Sequence, residues 1–265
     1  MMPGRLISLM AESGGAQQKD NLCGPFWAAR VLKESGFTTW DGEPIDEDLV
    51  ALRAGTVLPD MRSNAEVPPG ALSRAAYRYK LPVAPIEQSG TSPLGLVEVI
   101  ESASGGELRC LPLRGGWTVD RIERLMDEGR ELGGRLIANL RTGRLWGSHP
   151  PMEVVLGELA GHPVQDPAAD WDVGHFVELE MLIRGPVRSL VFVHDSYPSL
   201  GRDGHHLQPP RVLASALLRG DGREGGVLAV VPRARAEAAT ALAAELGLEI
   251  AGWNNGTGGG RHGDS

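Results

Sequence analysis

Four residue types in this chain could together carry chemistry: a cysteine, a histidine, an aspartate and a glutamine. Cys23 opens the run CGPFWAARVL, whose composition predicts a helix that begins at the cysteine. The first turn of a helix leaves backbone N–H groups unpaired and favours a negative charge, so it favours ionisation of a thiol. Gly24 leaves the backbone beside the sulfur open to an approaching carbonyl group. The position indicates a nucleophile; the alternative is a buried and inert cysteine.

His175 and Asp195 lie in two strand-like runs on either side of a turn signal, Gly185–Pro186. Folding this hairpin symmetrically about Gly185 predicts three facing pairs: His175 with Asp195, Val177 with Val193, and Leu179 with Val191. Facing residues have Cβ atoms about 4.5–5.5 Å apart, whereas a slip of one residue would send them to opposite faces. We therefore expect an imidazole against a carboxylate, the alternative being two unrelated polar residues at the mouth of a hairpin.

These residues meet the separate requirements of thiol catalysis. A histidine can remove the proton from a thiol and later protonate the leaving amine. A carboxylate behind the ring, here Asp195, fixes its tautomer and stabilises the imidazolium. The developing oxyanion needs hydrogen-bond donors, for which we predict the backbone N–H of Cys23 and the side-chain amide of Gln17.

In these residues the chain resembles the papain-like cysteine peptidases, and especially the branch that removes double-glycine leader peptides from bacteriocins. That branch has a glutamine six residues before a Cys-Gly pair, then a strand beginning with histidine, then an aspartate followed closely by proline. The matching segments here are Gln17, Cys23–Gly24, HFVEL from His175 and DSYP from Asp195. The resemblance implies a papain-like fold in which Cys23 is the nucleophile, His175 the general base, Asp195 its orienting residue and Gln17 an oxyanion donor.

The chain also departs from that branch. Leu22 stands before the cysteine where the branch has aspartate, and SYP follows Asp195 where the branch has proline directly. Residues 148–171 resemble an insertion that could serve as a lid or substrate loop. A second alignment, to the papain string Cys-Gly-Ser-Cys-Trp-Ala, would put Phe26 at the nucleophile position and predict an inactive protein. The glutamine six residues before Cys23 favours the first alignment.

The order of elements predicts an α+β fold of the papain-like kind. Helices are predicted at 24–34, 46–55, 68–81, 92–106, 118–129 and 233–247, and strands at 107–113, 135–140, 175–182, 189–196 and 226–231. We expect an N-terminal helical part, with a central buried helix starting at the cysteine, packed on a C-terminal antiparallel sheet.

One domain is predicted for residues 1–250, with a helical half at about 17–130 and a sheet half at about 131–250. The glycine-rich tail, residues 251–265, is predicted to be disordered, since its composition offers little apolar surface to bury.

Composition excludes several classes of protein. The chain has 265 residues, of which 42% are hydrophobic and 23% charged, as expected of a globular domain. A net charge of -8 argues against a nucleic-acid partner, which requires a basic surface. The sequence contains no apolar run of about 18 residues and no secretory signal, so we expect a cytoplasmic bacterial protein that does not associate with a membrane. Two cysteines, Cys23 and Cys110, are then predicted to be free thiols.

A metal site is a weaker hypothesis. The segment HDSYPSLGRDGHH contains four potential ligands: His194, Asp203, His205 and His206. Adjacent histidines point apart in an extended chain, and the segment has no helical pair of histidines four residues apart. We therefore expect a solvated loop here, with no metal ion and no cofactor. Cys110 is expected to be a core residue of a strand.

The sequence thus predicts a thiol hydrolase, a peptidase or amidase, that acts on a peptide or a small amide or thioester through an acyl-enzyme. The resemblance implies a role in bacterial peptide or natural-product maturation. An acyltransferase or peptide ligase would use the same residues and differ only in the second step, where an amine replaces water. A non-catalytic papain-like module that binds a peptide or a protein is the third alternative.

Overall fold

The computed structural model describes residues 17–60 and 67–257, which contain seven α-helices and one large sheet. The helices are α1 (Cys23–Glu34), α2 (Glu47–Arg53), α3 (Pro93–Ala103), α4 (Val119–Glu131), α5 (Met152–Leu159), α6 (Pro210–Leu218) and α7 (Ala236–Glu245). The strands are β1 (Thr39–Trp40), β2 (Glu43–Pro44), β3 (Leu58–Pro59), β4 (Val83–Ala84), β5 (Leu108–Arg114), β6 (Arg135–Arg141), β7 (Gly174–Arg184), β8 (Ser189–His194), β9 (His205–Gln208), β10 (Gly226–Pro232) and β11 (Glu249–Ile250).

Polar side chains at the helix starts explain where several helices begin. Asp46 accepts a hydrogen bond from the backbone N–H of Leu49 at 2.8 Å, at the start of α2. Ser92 and Thr118 cap α3 and α4 in the same way. Each cap satisfies one of the backbone donors that a helix start leaves unpaired, which stabilises the helix by about 1 kcal/mol.

The large sheet has seven strands in the order β11-β5-β10-β6-β7-β8-β9, and every neighbouring pair is antiparallel. The predicted α+β class is therefore confirmed. The strand predicted at 107–113 is β5, so the half described as helical also contributes a strand to this sheet. Two short two-stranded ladders, β1-β2 and β3-β4, lie outside it.

Helices cover both faces of the sheet. One hydrophobic cluster joins α1, α2 and α3 to one face, and a second joins α4, α6 and α7 to the other. The alternation along β6 reflects this arrangement, since Ile137 packs in the first cluster while Leu136 and Ala138 pack in the second. Burial on both faces explains why these strands are apolar at nearly every position.

Helix α1 is the central helix of the first cluster. It contacts α2, α3 and β7, and Trp27, Val31 and Leu32 on it are completely buried. The indole Nε1 of Trp27 donates a buried hydrogen bond to the carbonyl oxygen of Phe176 on β7, at 3.0 Å. This bond ties the helix that begins at Cys23 to the strand that contains His175.

The predicted helix at 68–81 is wrong. This segment forms no regular helix, because its backbone and side chains bond to two aspartates instead. The backbone N–H of Arg74 donates to Asp20 at 3.1 Å, and that of Arg78 donates to Asp48 at 3.1 Å. Bonds of this kind compete with the helical i to i−4 pattern, and here the tertiary contacts determine the conformation.

The prediction that residues 251–265 are disordered is wrong for residues 251–257, which pack on the domain. Trp253 is buried and donates from Nε1 to the side-chain oxygen of Asn139 at 3.1 Å. Asn255 donates to the carbonyl oxygen of Thr91 at 3.0 Å. Residues 258–265 lie outside the described residues. Among the described helices, none has the length and apolar character needed to cross a membrane.

Candidate active site

Cys23 is the first residue of α1 and lies in the wall of a cavity of about 310 Å³. Among the described residues no side chain caps this helix start. The first turn leaves the backbone N–H groups of Cys23 and Gly24 unpaired, whereas Pro25 has no N–H. A thiolate at this position therefore lies at the positive end of the helix dipole.

Gly24 allows α1 to approach β7 closely. A Cβ atom on this residue would lie 2.9 Å from Leu96 Cδ1 and 3.2 Å from the ring of Phe176. Phe176 follows His175 directly, so the same close contact sets the distance between the cysteine and the histidine. The close packing of α1 on β7 therefore explains the glycine after Cys23, in addition to the access that it gives to the sulfur.

His175 bonds to Asp195 through one ring nitrogen. Its Nε2 lies 3.2 Å from Oδ1 and 3.1 Å from Oδ2 of the carboxylate, and both side chains are 2% exposed. Nε2 is occupied by this contact, so Nδ1 is the nitrogen left for Cys23, whose sulfur is near enough for its charge to act on the ring. The structure therefore brings Cys23, His175 and Asp195 together.

The charges around His175 favour its protonated form. Burial by itself lowers the pKa of His175, but the charge of Asp195, the charge of Cys23 and the hydrogen bonds to both raise the pKa to about 10. Burial raises the pKa of Asp195, but the charge and hydrogen bond of His175 outweigh it and hold this pKa below its usual range. The two groups are thus an imidazolium and a carboxylate at neutral pH.

The backbone around Asp195 fixes its carboxylate. Oδ1 accepts a hydrogen bond from the backbone N–H of Tyr197 at 2.9 Å, and the N–H of Asp195 donates to the carbonyl oxygen of Gly204 at 2.7 Å. Gly204 has a φ of +86°, and a Cβ atom there would lie 2.5 Å from the carbonyl oxygen of Asp195. Both its φ and this close approach require glycine.

The predicted hairpin register is wrong, although the His175–Asp195 contact forms. Leu179 faces Val193 rather than Val191, and a β-bulge between Leu179 and Met181 shifts the pairing again. Strand β8 ends at His194, so Asp195 reaches His175 from the loop after the strand rather than from a facing position. At Leu179 the observed partner is two residues away from the predicted one. Because side chains alternate between faces with a period of two, Leu179 and Val193 still lie on the same face.

The two adjacent glutamines occupy different surroundings. Gln17 lies away from the cavity: its amide nitrogen donates to the carbonyl oxygen of Leu72, and its oxygen accepts from the N–H of Leu72. Gln18 is 2% exposed, lines the cavity with Cys23, and donates to the hydroxyl of Tyr197 at 3.1 Å. Ser196 donates to the side-chain oxygen of Gln18. Of the two glutamines, Gln18 is thus the one that lines the cavity with Cys23.

Aromatic rings cover the histidine. Trp171 lies edge-on to His175 with ring centroids 4.9 Å apart, and Tyr197 lies nearly parallel to it at 6.0 Å. Trp171 is the last residue of the predicted insertion, 148–171, and is the one residue of that segment that lines the cavity. The rest of the insertion contains α5 and contacts the β7–β8 hairpin, where Val187 donates to the carbonyl oxygen of Leu159 at 3.1 Å.

Two arginines that the sequence analysis missed form another wall of the cavity. Arg141 bonds to Asp172 at 2.9 Å and to Asp221 at 3.1 Å, and the side chain of Arg219 is 1% exposed and bonds to Asp221 at 2.9 Å. A Cβ atom on Gly174 would lie 2.9 Å from the guanidinium of Arg219. In the sequence, the glycine directly before His175 was a sign that another side chain approaches the backbone there.

Neither of the competing assignments of the nucleophile fits the cavity as well. Phe26 packs edge-on against Trp27 with ring centroids 5.2 Å apart and does not line the cavity. Both cysteines are free thiols, but Cys110 is buried in β5, and burial raises its pKa. Cys23 is therefore the cysteine that a reagent or substrate in the cavity can reach.

The histidine-rich segment is not the solvated loop that we expected. His194 ends β8, and His205 and His206 begin β9; all three are buried. The Nδ1 atom of His206 lies 3.0 Å from Nε2 of Gln208. Burial lowers the pKa of His206 to about 4.

Comparison with known proteins gives a family but no activity. A model for a family of unknown function, DUF6885, matches residues 6–254. The chain belongs to this family. The matched range contains Cys23, His175, Asp195 and Gln18. No curated protein and no solved structure matches the chain. The chemistry of this protein is therefore inferred from the geometry of its own cavity.

Proposed function

We propose that the protein is a papain-like thiol hydrolase that cleaves an amide, peptide or thioester bond through an acyl-enzyme at Cys23. The observation that supports this most strongly is the position of His175. Its ring bonds to the buried carboxylate of Asp195, and it lines the same cavity as Cys23, whose charge raises the pKa of the imidazole. A nucleophile, a base and an orienting group within hydrogen-bond reach are the signature of covalent catalysis.

In the first step the thiolate of Cys23 attacks the carbonyl carbon of the substrate. The new S–C bond forms as the electron pair of the C=O bond moves onto oxygen. The N–H groups at the start of α1 and the amide of Gln18 provide donors for this oxyanion. In the free enzyme Gln18 Nε2 donates to Tyr197 and to the carbonyl oxygen of Lys19, so one of these bonds is exchanged for the oxyanion.

The leaving group takes its proton from His175. As the C–N or C–S bond of the substrate breaks, the imidazolium protonates the departing amine or thiol and becomes neutral. Neutral His175 then removes a proton from water, whose oxygen attacks the thioester carbon. The product acid leaves, and Cys23 and His175 return to the thiolate–imidazolium pair. Asp195 stays ionised throughout and holds the ring in place.

The cavity favours a polar substrate. Most of the residues that line the cavity are polar or charged, among them Asn139, Arg141 and Asp172. Arg141 and Arg219 are already paired with aspartates, so the wall carries no uncompensated positive charge from them. These features suit a neutral amide or peptide segment more than a strongly anionic or a long apolar molecule.

An activated ester tests the proposal without knowledge of the natural substrate. We expect p-nitrophenyl acetate to release a burst of one equivalent of nitrophenol and to leave one acetyl group on Cys23, located by peptide mass spectrometry. Cys110 serves as an internal control, because it is 1% exposed and should stay unmodified. Acetylation of Cys23 no faster than that of a cysteine in a denatured control would contradict the proposal and favour a binding module.

The fate of the acetyl group separates hydrolysis from transfer. A hydrolase is expected to release acetate even when glycinamide is present, because water reaches the thioester. Nearly complete capture of the acetyl group by glycinamide would show instead that the site is a transferase.

A further inference from the structure

A second cluster of chemically active side chains lies where β7, β8 and β9 run side by side. Glu180, His194 and His205 each present one potential ligand atom, and these atoms lie within 4.8 Å of one another. Glu180 Oε1 is 3.0 Å from His194 Nδ1, and Glu180 Oε2 is 3.6 Å from His205 Nε2. The proposed hydrolase mechanism uses none of the three.

The fold sets the direction of each side chain in this cluster. His194 and His205 are facing partners of the β8–β9 ladder, so they lie on one face of the sheet. Glu180 is the residue at the β-bulge of β7, and a bulge commonly redirects a side chain. The bulge in β7 is therefore at the residue that faces the two histidines.

The contacts of His205 direct its two ring nitrogens to different partners. Its Nδ1 lies 3.3 Å from the carbonyl oxygen of Arg202, which can only accept, so Nδ1 donates to it. Its Nε2 faces Glu180 Oε2 at 3.6 Å, which is too long for a good direct hydrogen bond. The ring is thus oriented with Nε2 towards the carboxylate, as binding of one ion by both groups requires.

The two imidazole rings are held in place by aromatic neighbours. They stack on each other with centroids 3.9 Å apart, while Trp27 lies edge-on to His194 at 4.9 Å and Phe192 stacks on His205 at 5.1 Å. The histidine side chains are 5% and 4% exposed, whereas that of Glu180 is 25% exposed. The cluster is therefore preorganised on its inner side and open to solvent at the carboxylate.

We propose that Glu180, His194 and His205 bind one divalent transition-metal ion, for which Zn²⁺ is the best probe. Two imidazole nitrogens and one carboxylate oxygen form a ligand set that Zn²⁺ accepts, with bonds of about 2.0–2.2 Å. Such bonds separate tetrahedral ligands by about 3.4 Å, so the atoms need only a small contraction from their present spacing. The bond from His205 to Arg202 is the kind of outer contact that orients a metal-binding imidazole. Water enters from the open side as the fourth ligand.

The ion has a structural consequence for the loop between β8 and β9. His194 immediately precedes Asp195, and Gly204, whose carbonyl oxygen accepts from the N–H of Asp195 at 2.7 Å, immediately precedes His205. An ion held by His194 and His205 therefore fixes both ends of residues 195–204. The proposal itself does not depend on catalysis at Cys23.

Zinc binding to the full chain in the Cys23→Ser background tests this site, since the serine removes the one accessible thiol. After dialysis against a chelator, calorimetric titration with ZnCl₂ should show one equivalent bound, and the ion should raise Tm. Loss of an outer contact costs about 10–100-fold in affinity, so Glu180→Gln or His205→Asn, each of which removes a ligand, should weaken binding by more than about 100-fold. His162→Asn, which changes an exposed histidine outside the cluster, should leave affinity unchanged.

Circular dichroism of each variant without zinc separates loss of the ligand from loss of the fold. Saturable binding that Glu180→Gln and His205→Asn both abolish, in folded variants, supports the site. Absence of saturable binding to the Cys23→Ser protein, or binding that neither variant weakens, overturns it.

Discussion

Replacing His175 by alanine should lower the rate at which an activated ester acylates Cys23 by about 10³-fold at pH 7. The physical reason is that the variant loses both the base that takes the proton from the thiol and the positive charge that stabilises the thiolate. The measurement is the rate of the nitrophenol burst, with the acetyl group assigned to Cys23. General acid–base groups of this kind contribute about 10²–10⁴-fold, and the pairing of His175 with the nucleophile puts it in the upper part of this range.

Two controls make this result specific. His162→Ala changes an exposed histidine outside the cavity and should leave the burst unchanged. His175→Gln retains a polar side chain of similar size, and its circular dichroism shows whether the buried position tolerates replacement. A folded His175→Gln variant that acylates at the wild-type rate would contradict the assigned role.

Replacing Gln18 by alanine should lower the acylation rate by about 10²–10³-fold, the usual effect of losing one oxyanion donor. The adjacent change Gln17→Ala is the matched control, because Gln17 bonds to Leu72 outside the cavity. It should change the rate by less than about twofold. The two rates come from the same burst experiment.

Gln18 also accepts a bond from Ser196, so its loss could act through packing. Ser196→Ala removes this bond and keeps the amide of Gln18, and it should retain most of the acylation rate. An equal loss of rate in Ser196→Ala and Gln18→Ala would assign Gln18 a packing role, and a loss in Gln17→Ala alone would restore the sequence-based assignment.

Local patterns were sufficient to predict the elements that carry the reacting groups. Apolar residues on most sides of the run after Cys23 predicted a central helix, and α1 is that helix. Alternating residues after His175 predicted strand β7. The turn signal at Gly185–Pro186 predicted that His175 and Asp195 lie at the same end of one hairpin, which holds although the predicted facing pairs are wrong.

Features that depend on tertiary contacts could not be predicted in this way. The pairing of Arg184 with Ser189 centres the turn between Pro186 and Val187 rather than on Gly185, and the bulge at Glu180 shifts the pairing again. The segment 68–81 has helix-forming residues, but Asp20 and Asp48 bond to its backbone and hold it in another conformation. Periodicity within a segment contains no information about such distant partners.

The choice between two adjacent glutamines failed for a related reason. The family spacing selected Gln17, but spacing along the chain fixes position only if the intervening backbone is the same. Here Asn21 has a φ of +61°, an uncommon conformation for a residue other than glycine, just before α1. The structure directs Gln18 into the cavity and Gln17 towards Leu72.

The central claim is that Cys23 and His175 form a thiolate–imidazolium pair, and the pH dependence of Cys23 alkylation by iodoacetamide tests it most directly. The pKa of His175, raised from 6.5 to about 10, means that its positive charge is present at neutral pH and is lost only as the pH rises towards 10. At pH 6 an unpaired thiol is almost fully protonated, so Cys23 in the wild type should react about 10- to 100-fold faster than in His175→Ala. The difference should narrow above pH 9, where an unpaired thiol also ionises. Identical pH profiles for the two proteins, each reaching half of the maximal rate at the pH expected of an ordinary thiol, would contradict the ion pair and the mechanism that depends on it.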